Sequence, residues 1–260
     1  MCDKIAHIIM SKESRNSRSG STLADSLAEK PRERRSADIS ESVNRTNSNG
    51  FDVHRVYETF TIALRQPENP KSPIGTQDYI NGYRELLKFF DQLGRVFRFV
   101  KDDVVDKLNI LQTFADKDQK NAIKHFETIQ SAIDYETEQN LIKTNPERNF
   151  ARTLLRLHRA LLFIIQFLQA LSERPTSENT TTIATSCYDA TLYHHHGFLV
   201  RSSVRVGFRI LPSRKQLDDV IFHGQKSDLL SQYDHFIQTI KQIYDVVEGY
   251  YAEKKYLQLP

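Results

Sequence analysis

The segment Phe150–Leu171 constrains the fold more than any other part of this 260-residue chain. Projected as a helix at about 100° per residue, it carries leucine, isoleucine or phenylalanine over most of its circumference. A helix that is apolar nearly all round lies in the middle of a protein, covered by other elements. The sequence therefore predicts a central buried helix surrounded by neighbouring helices.

Three arginines interrupt this apolar surface. Arg152, Arg156 and Arg159 fall within one narrow stripe of the projected helix. An unpaired buried charge is very costly, so the stripe must face solvent or an anionic partner. Guanidinium donors match the planar geometry of phosphate and carboxylate. The stripe is therefore either a solvated helix edge or an anion clamp, and the residues alone leave both readings open.

Apolar residues recur at helical spacing along the rest of the chain after Phe51, and no convincing strand or hairpin appears. Nine glycines and eight prolines are few for a protein with many tight turns. We therefore predict a single all-α domain over residues 51–260. The predicted helices span residues 53–64, 76–93, 104–111, 120–143, 150–171, 183–193, 197–211, 214–222 and 229–256.

Residues 1–50 differ from the rest in composition. From Lys12 to Gly50 the chain is dominated by Ser, Asn, Arg, Glu and Lys and has no aromatic residue. Such a segment cannot bury enough apolar area to offset the entropy lost on ordering. We predict a disordered N-terminal extension over residues 1–50. Ser36, which follows two arginines, also leaves open a regulatory tail controlled by phosphorylation.

Composition excludes several classes of protein. The net charge of 36 − 33 = +3 is too small to indicate a nucleic-acid partner. Two cysteines, Cys2 and Cys187, cannot form a disulfide framework, which favours a reducing compartment. No apolar run approaches the roughly 20 residues of a membrane span. The apolar patch Ile5–Met10 is too short for a secretory signal.

Other polar residues carry weaker signals. Asp103 and Lys107 are four residues apart on a predicted helix, which is typical of a surface salt bridge, and Asp103 is also placed to cap that helix. The run His194–His196 suggests a metal, but consecutive helical side chains point apart and no further ligand is suitably spaced. We therefore predict no metal site and no cofactor. One histidine acting as a hydrogen-bond donor beside a cavity is the more plausible role.

Several of these segments together resemble a known family. The pattern Asp-x-x-x-Lys at Asp103, Arg-x-x-x-Arg-Leu-His-Arg from Arg152, and His-x-aromatic at His196 occur in this order and spacing. The chain from Phe51 to Pro260 resembles the glycolipid transfer protein superfamily, and most closely its ceramide-1-phosphate transfer branch. The resemblance implies a two-layer, all-α helical sandwich that encloses a hydrophobic lipid pocket.

The resemblance also implies roles for individual residues. Asp103 would accept the amide N–H of ceramide, His196 would donate to the amide carbonyl, and Lys107, Arg152 and Arg156 would hold the phosphate. The sugar-binding branch typically has Asn in the place of Lys107 and Trp in the place of Arg156, and this chain contains no Trp. Two cationic residues in those places favour a phosphorylated headgroup.

The resemblance implies a carrier and not an enzyme. We expect nonvesicular transfer of ceramide-1-phosphate or a related sphingolipid, by a cytosolic monomer that contacts anionic membrane surfaces transiently and binds no nucleic acid. A lipid sensor or adaptor that recruits partners without net transfer is the alternative. Candidate residues for the pocket lining are Phe97, Phe99, Leu155, Phe163 and Phe198, and those for membrane docking are Arg201, Arg205 and Arg209.

Two positions depart from the family pattern. The family usually places Trp two residues after the site histidine, where this chain has Phe198, and Tyr before it, where this chain has His195. Phe198 keeps an apolar wall but lacks the polar N–H of an indole, which suits a membrane interface. We therefore expect membrane docking to differ in detail.

Overall fold

The computed structural model describes residues 50–94, 97–121, 123–144, 149–222 and 226–260, and of Phe99 and residues 226–228 only the backbone. The part from Phe51 onward forms one compact unit. In the described residues all regular secondary structure is helical, apart from two isolated bridges that pair Leu64 with Ile74 and Gly75 with Thr128. The predicted all-α class is therefore confirmed. The predicted extension lies outside the described residues, except for Gly50.

Ten α-helices and one 3₁₀ turn make up the described fold. They are α1 (Val53–Ala63), α2 (Thr76–Gln92), α3 (Arg98–Asn121), α4 (Ile129–Glu138), α5 (Leu141–Thr144), α6 (Phe150–Glu173), α7 (Thr180–Ala190), the 3₁₀ turn (Leu192–His195), α8 (Phe198–Phe208), α9 (Arg214–Phe222) and α10 (Lys226–Glu253).

Helix α6 occupies the centre, as its apolar circumference predicts. It packs against α3, α4, α7 and α10, while α10 packs on α1, α1 on α2 and α2 on α3. Three buried tyrosines from the surrounding helices donate hydroxyl hydrogen bonds of 2.6–2.7 Å to its backbone carbonyls. Buried hydroxyls need such partners, so these bonds fix how the neighbours sit on α6. The three tyrosines are Tyr83, Tyr233 and Tyr251.

One expectation is wrong for α6. By length and composition this helix could cross a membrane, whereas we predicted no apolar run of that length. The difference arises because Arg152, Arg156 and Arg159 all lie near its start, which leaves the later turns almost free of charge. In the structure 61% of its most apolar 18-residue window is buried inside the protein. Neighbouring helices therefore cover this apolar surface.

The start of α6 is fixed by two side chains, and this places the arginine stripe. Asn149 caps the helix by accepting the backbone N–H of Arg152 at 2.8 Å. The buried carboxylate of Glu136 in α4 accepts the N–H groups of Phe150 and Ala151 at 2.6 and 2.8 Å. Burial raises the pKa of Glu136, while these two hydrogen bonds act in the opposite direction. The carboxylate satisfies the free N–H groups that every helix start leaves.

Several predicted helix boundaries are wrong, among them the end of the helix predicted over residues 104–111, which runs to Asn121. The helix predicted over residues 120–143 is divided, because Thr128 and Ser131 form a capping box that starts α4 afresh. Asp103 is not a cap, because α3 already begins at Arg98. The helix predicted over residues 183–193 ends at Ala190, and a 3₁₀ turn carries the histidine run.

Candidate functional site

Asp103 and Lys107 form a close ion pair on α3. The Lys107 ammonium lies 2.5 Å from a carboxylate oxygen of Asp103 and 3.2 Å from the Asp103 backbone carbonyl. The Lys107 side chain is 19% exposed and that of Asp103 40% exposed. The pair is therefore partly open to solvent, with the carboxylate the more accessible member.

The arginine stripe of α6 lies close to two other segments. Arg152 donates from Nε to the carbonyl of Ile142 at 3.2 Å, and Arg156 donates from Nη2 to the carbonyl of Pro260 at 3.4 Å. Arg159 donates from Nη2 to the carbonyls of Leu257 and Leu259, both at 2.8 Å. Burial, followed by the charge of Arg156, lowers the pKa of Arg159. Arg156 is exposed and makes the longest of these contacts, so most of its donors face outward.

Residues 257–260, which we call the strap, cross the stripe after α10 has ended. Lys255 adopts the left-handed conformation with φ 59°, and the N–H of Tyr256 donates to the carbonyl of Tyr251 at 2.9 Å. This is the geometry that ends a helix and reverses the chain. Leu257 and Leu259 then pack partly buried against the core.

His196 follows the 3₁₀ turn and is held by Tyr188 of α7. The Tyr188 hydroxyl lies 2.9 Å from Nδ1 of His196. Burial lowers the pKa of His196 most, His195 lowers it further, Asp103 raises it, and Arg201 and Lys107 lower it. Helices α3 and α8 thus both present charged groups to this histidine. The sequence did not indicate Tyr188 as a partner of His196. The two residues are eight apart, and the 3₁₀ turn that brings them together was not predicted.

A small apolar cavity lies where α2, α6, α7 and α8 meet, beside the segment that precedes α3. Its volume is about 20 Å³, room for about one water molecule. Tyr188 connects it to the polar residues, because its ring packs edge-on against Phe163 and Phe208, with centroids 6.4 and 5.8 Å away. The lining residues are Phe89, Phe90, Leu93, Phe97, Phe163, Ile164, Phe167, Ala184, Phe208 and Leu211.

The five residues predicted to line a pocket have different locations. Phe97 and Phe163 line the cavity. Leu155 is 1% exposed in the core but is not among the lining residues. Phe198 is 80% exposed and so does not fit a lining role, because it stands at the first position of α8, where its side chain points to solvent. The side chain of Phe99 lies outside the described residues.

The three arginines predicted for membrane docking do not form one free basic face. Arg201 is half-buried and donates to the carbonyl of Tyr193 at 2.9 Å, while Arg205 pairs with Asp189 at 2.9 Å. Arg209 is exposed, and no contact to its side chain is found among the described residues. The equal i, i+4, i+8 spacing predicted their common side but could not show their partners. Across the described ranges, no group of three His, Cys, Asp or Glu is placed to hold a metal ion.

Comparisons with known proteins agree with this geometry. The profile of the glycolipid transfer protein family matches residues 74–222. A ceramide-1-phosphate transfer protein from Danio rerio is 33% identical over 82% of this chain and 100% of its own length.

Solved structures give the same picture. The mouse ceramide-1-phosphate transfer protein without ligand has a TM-score of 0.73 at 32% identity, and covers 81% of this chain and 100% of its own. The human protein in complex with 12:0 ceramide-1-phosphate has a TM-score of 0.73 at 29% identity, with the same coverage. The fold predicted from the resemblance is confirmed, and the chain belongs to the glycolipid transfer protein family.

Proposed function

We propose that this protein transfers ceramide-1-phosphate between membranes without vesicles. The observation that carries the proposal is that Tyr188 joins a cationic surface site to an apolar cavity. Its hydroxyl holds His196, while its ring packs on two phenylalanines of the cavity lining. A lipid with a charged headgroup and apolar chains requires this pairing of surfaces. The relatives named above, with ceramide-1-phosphate bound in one of them, support the choice of cargo.

The headgroup site has a role for each of five residues. Arg152, Arg156 and Lys107 bind the phosphate through charge-assisted hydrogen bonds, which are about twice as strong as neutral ones. Asp103 accepts the amide N–H, for which its partly exposed carboxylate is available. With Nδ1 of His196 beside Tyr188, Nε2 is the ring nitrogen left to donate to the amide carbonyl.

The lipid chains require the cavity to enlarge. At about 0.8 kcal/mol per methylene, two chains with about 30 methylenes need about 24 kcal/mol of apolar surroundings. Ligand pockets usually measure about 300–1,000 Å³, far above the about 20 Å³ present here. The helices around the cavity therefore move apart as the chains enter. The stacked rings of Phe163 on α6 and Phe208 on α8, with centroids 6.0 Å apart, mark where these two helices separate.

The proposed cycle includes no covalent chemistry. Asp103 and His196 would contact an amide, and no nucleophile motif accompanies them. The protein works in the cytosol as a monomer, and its contact with anionic membranes is transient. Phe198 and Leu199, 80% and 49% exposed at the start of α8, are suited to that contact, and Arg209 is an exposed cation at the other end of the helix.

The test is transfer of ceramide-1-phosphate and of a galactosylceramide between vesicles, by the parent and by Arg156→Ala. Loss of one charge-assisted bond of roughly 1.5–3 kcal/mol should weaken capture of the phosphate lipid about 10- to 100-fold. Arg156 is exposed, so circular dichroism should show an unchanged fold. Asp103→Val should be at least as damaging, because it also leaves Lys107 without its partner at 2.5 Å.

Three results would contradict the proposal. If the parent transferred both lipids equally well, the proposed phosphate site would be wrong. Binding that stops at one lipid per protein, with no turnover, would identify a sensor or adaptor and not a carrier. A changed lipid product would reveal an enzyme.

A further inference from the structure

Arg201 is bonded to the turn that carries His196. Its Nε donates to the carbonyl of Tyr193 at 2.9 Å, from a half-buried position near the start of α8. The same carbonyl accepts the backbone N–H of His196 at 3.3 Å, the bond that closes the 3₁₀ turn. Arg201 therefore shares the acceptor that fixes the backbone of the histidine.

Ring contacts connect the same arginine to the side chain of His196. The guanidinium carbon of Arg201 lies 3.9 Å from the centroid of the Tyr193 ring. That ring packs at 88° against Tyr188, with centroids 6.2 Å apart, and the Tyr188 hydroxyl reaches Nδ1 of His196. A cation over a tyrosine face is stabilising, the more so when it is partly desolvated. Arg201 thus acts on His196 by two routes, one through the backbone and one through the rings.

We propose that Arg201 is a positioning residue, which holds the Tyr193 carbonyl and ring so that Nε2 of His196 stays aimed at the lipid amide. This inference rests on the proposed function, because only that function gives His196 a ligand. It also gives a reason for a guanidinium at this position, since one planar group supplies both the hydrogen bond and the stacking. Lysine supplies the charge and a donor but not the planar face.

The charges around His196 support the inference. Its ring is faced by His195 of the 3₁₀ turn, Tyr188 of α7, Asp103 and Lys107 of α3, and Arg201 of α8. Burial is the main cause that lowers the pKa of His196, and the positive charge of Arg201 acts in the same direction. A neutral ring has one N–H. With that N–H on Nε2, Nδ1 accepts from Tyr188.

The experiment compares the parent with Arg201→Ala, Arg201→Lys and the matched control Arg209→Ala, which removes the same charge from an exposed site on α8. Long-range ¹H–¹⁵N spectra of the full chain, without lipid, report the tautomer and titration of His196. In Arg201→Ala we expect a mixture of the two neutral tautomers of His196, with the proton on Nδ1 in some molecules and on Nε2 in the others. We also expect the pKa of His196 to rise. Arg201→Lys should restore part of the parent spectrum. Arg209→Ala should leave the His196 resonances at their parent positions.

Capture of short-chain ceramide-1-phosphate is measured on the same proteins. Loss of one net hydrogen bond predicts a reduction of about 3- to 10-fold for Arg201→Ala. If Arg201→Ala gave the same His196 spectra as the parent, the inference would be overturned, even if lipid capture fell. If Arg201→Ala and Arg209→Ala lost vesicle binding equally, both arginines would be docking cations instead. Should the alanine variant not fold, a parent-like spectrum of Arg201→Lys at every pH would equally overturn it. A parent that captures no ceramide-1-phosphate would refute the proposed function alone, because the spectra need no lipid.

Discussion

The three arginines of α6 carry the same charge on one stripe of the helix but have different surroundings. Arg159 is tied to two carbonyls of the strap at 2.8 Å each. Arg152 reaches the carbonyl of Ile142 at 3.2 Å, and Arg156 has one contact of 3.4 Å. A guanidinium has five N–H donors, so Arg152 and Arg156 both keep donors for a ligand, and Arg156 is the more exposed of the two. The stripe therefore combines a structural arginine with two that can bind an anion.

His158, which lies on the same helix, is buried. It stacks on Tyr244, with centroids 4.1 Å apart and planes at 8°, and its Nε2 lies 2.7 Å from a carboxylate oxygen of Glu248. Burial is the main cause that lowers the pKa of His158, against the opposing effect of Glu248. The hydrogen bond with His158 lowers the pKa of Glu248.

The lowered pKa of His158 predicts how the free energy of unfolding depends on pH. Because the folded pKa of His158 lies below its unfolded value, the unfolded state binds more protons below about pH 6.5, and the free energy of unfolding falls as the pH falls. His158→Gln removes this titration. The variant should be less stable at pH 7, since it loses the stack, worth about 0.5–1.5 kcal/mol. Its free energy of unfolding should change less between pH 7 and pH 5.5 than that of the parent.

Urea unfolding at several pH values measures both effects. Tyr244→Phe is the control, because it keeps the aromatic stack and the titrating histidine. Between pH 7 and pH 5.5 its free energy of unfolding should change with pH as much as that of the parent. Parallel slopes for the parent and His158→Gln would show that other groups carry the dependence, such as His195 and His196, whose pKa values burial also lowers.

At the scale of single elements, the strap depends on Arg159. Its two carbonyl bonds have a charged donor, and such bonds contribute about 1.5–3 kcal/mol. Deleting residues 257–260, or changing Arg159 to Ala, should each lower the free energy of unfolding by about 2–3 kcal/mol. The double variant should lose clearly less than the sum, because both changes remove the same bonds.

Thermal and urea unfolding of the four proteins in this cycle give the coupling. Deleting Pro260 alone is the control, since it removes only the contact of 3.4 Å to Arg156. It should leave stability within about 0.5 kcal/mol of the parent. Additive losses in the cycle would mean that the strap is held by Leu257 and Leu259 alone.

Elements differ in how far sequence predicts them. Helix α9 was predicted with its observed bounds, Arg214–Phe222, because Pro212 interrupts the chain before it and the apolar spacing is regular. The division at Thr128 was missed, because it depends on local caps and on the bridge to Gly75, which pairs residues far apart in sequence. The strap carries no sequence signal, since it offers backbone carbonyls and any residue has those.

On the scale of the whole molecule, the site arises from a circuit of helices around α6. Sequence predicted the central helix, because an apolar circumference is a local pattern. The residues of the headgroup site came from the family resemblance, and their roles stay a prediction. Sequence could not predict the partners of Arg201 or the exposure of Phe198, because both depend on where α8 packs. The cavity of about 20 Å³ is likewise a property of packing, formed by residues from four helices and the loops beside them.

The start of the folded unit can be tested by deletion. Residues 1–50 have no core-forming pattern, so deleting them should leave the melting temperature and transfer between vesicles nearly unchanged. Deleting residues 1–52 is the matched control. Phe51 is 3% exposed, with its ring centroid 5.3 Å from that of Phe89, and Asp52 caps α1 through the N–H of His54 at 2.9 Å. Loss of the cap costs about 1 kcal/mol and loss of a buried Phe about 3–5 kcal/mol. The longer deletion should therefore melt well below the shorter one, by differential scanning calorimetry at equal concentration. A large fall in melting temperature already for the 1–50 deletion would place the start of the folded unit earlier in the chain.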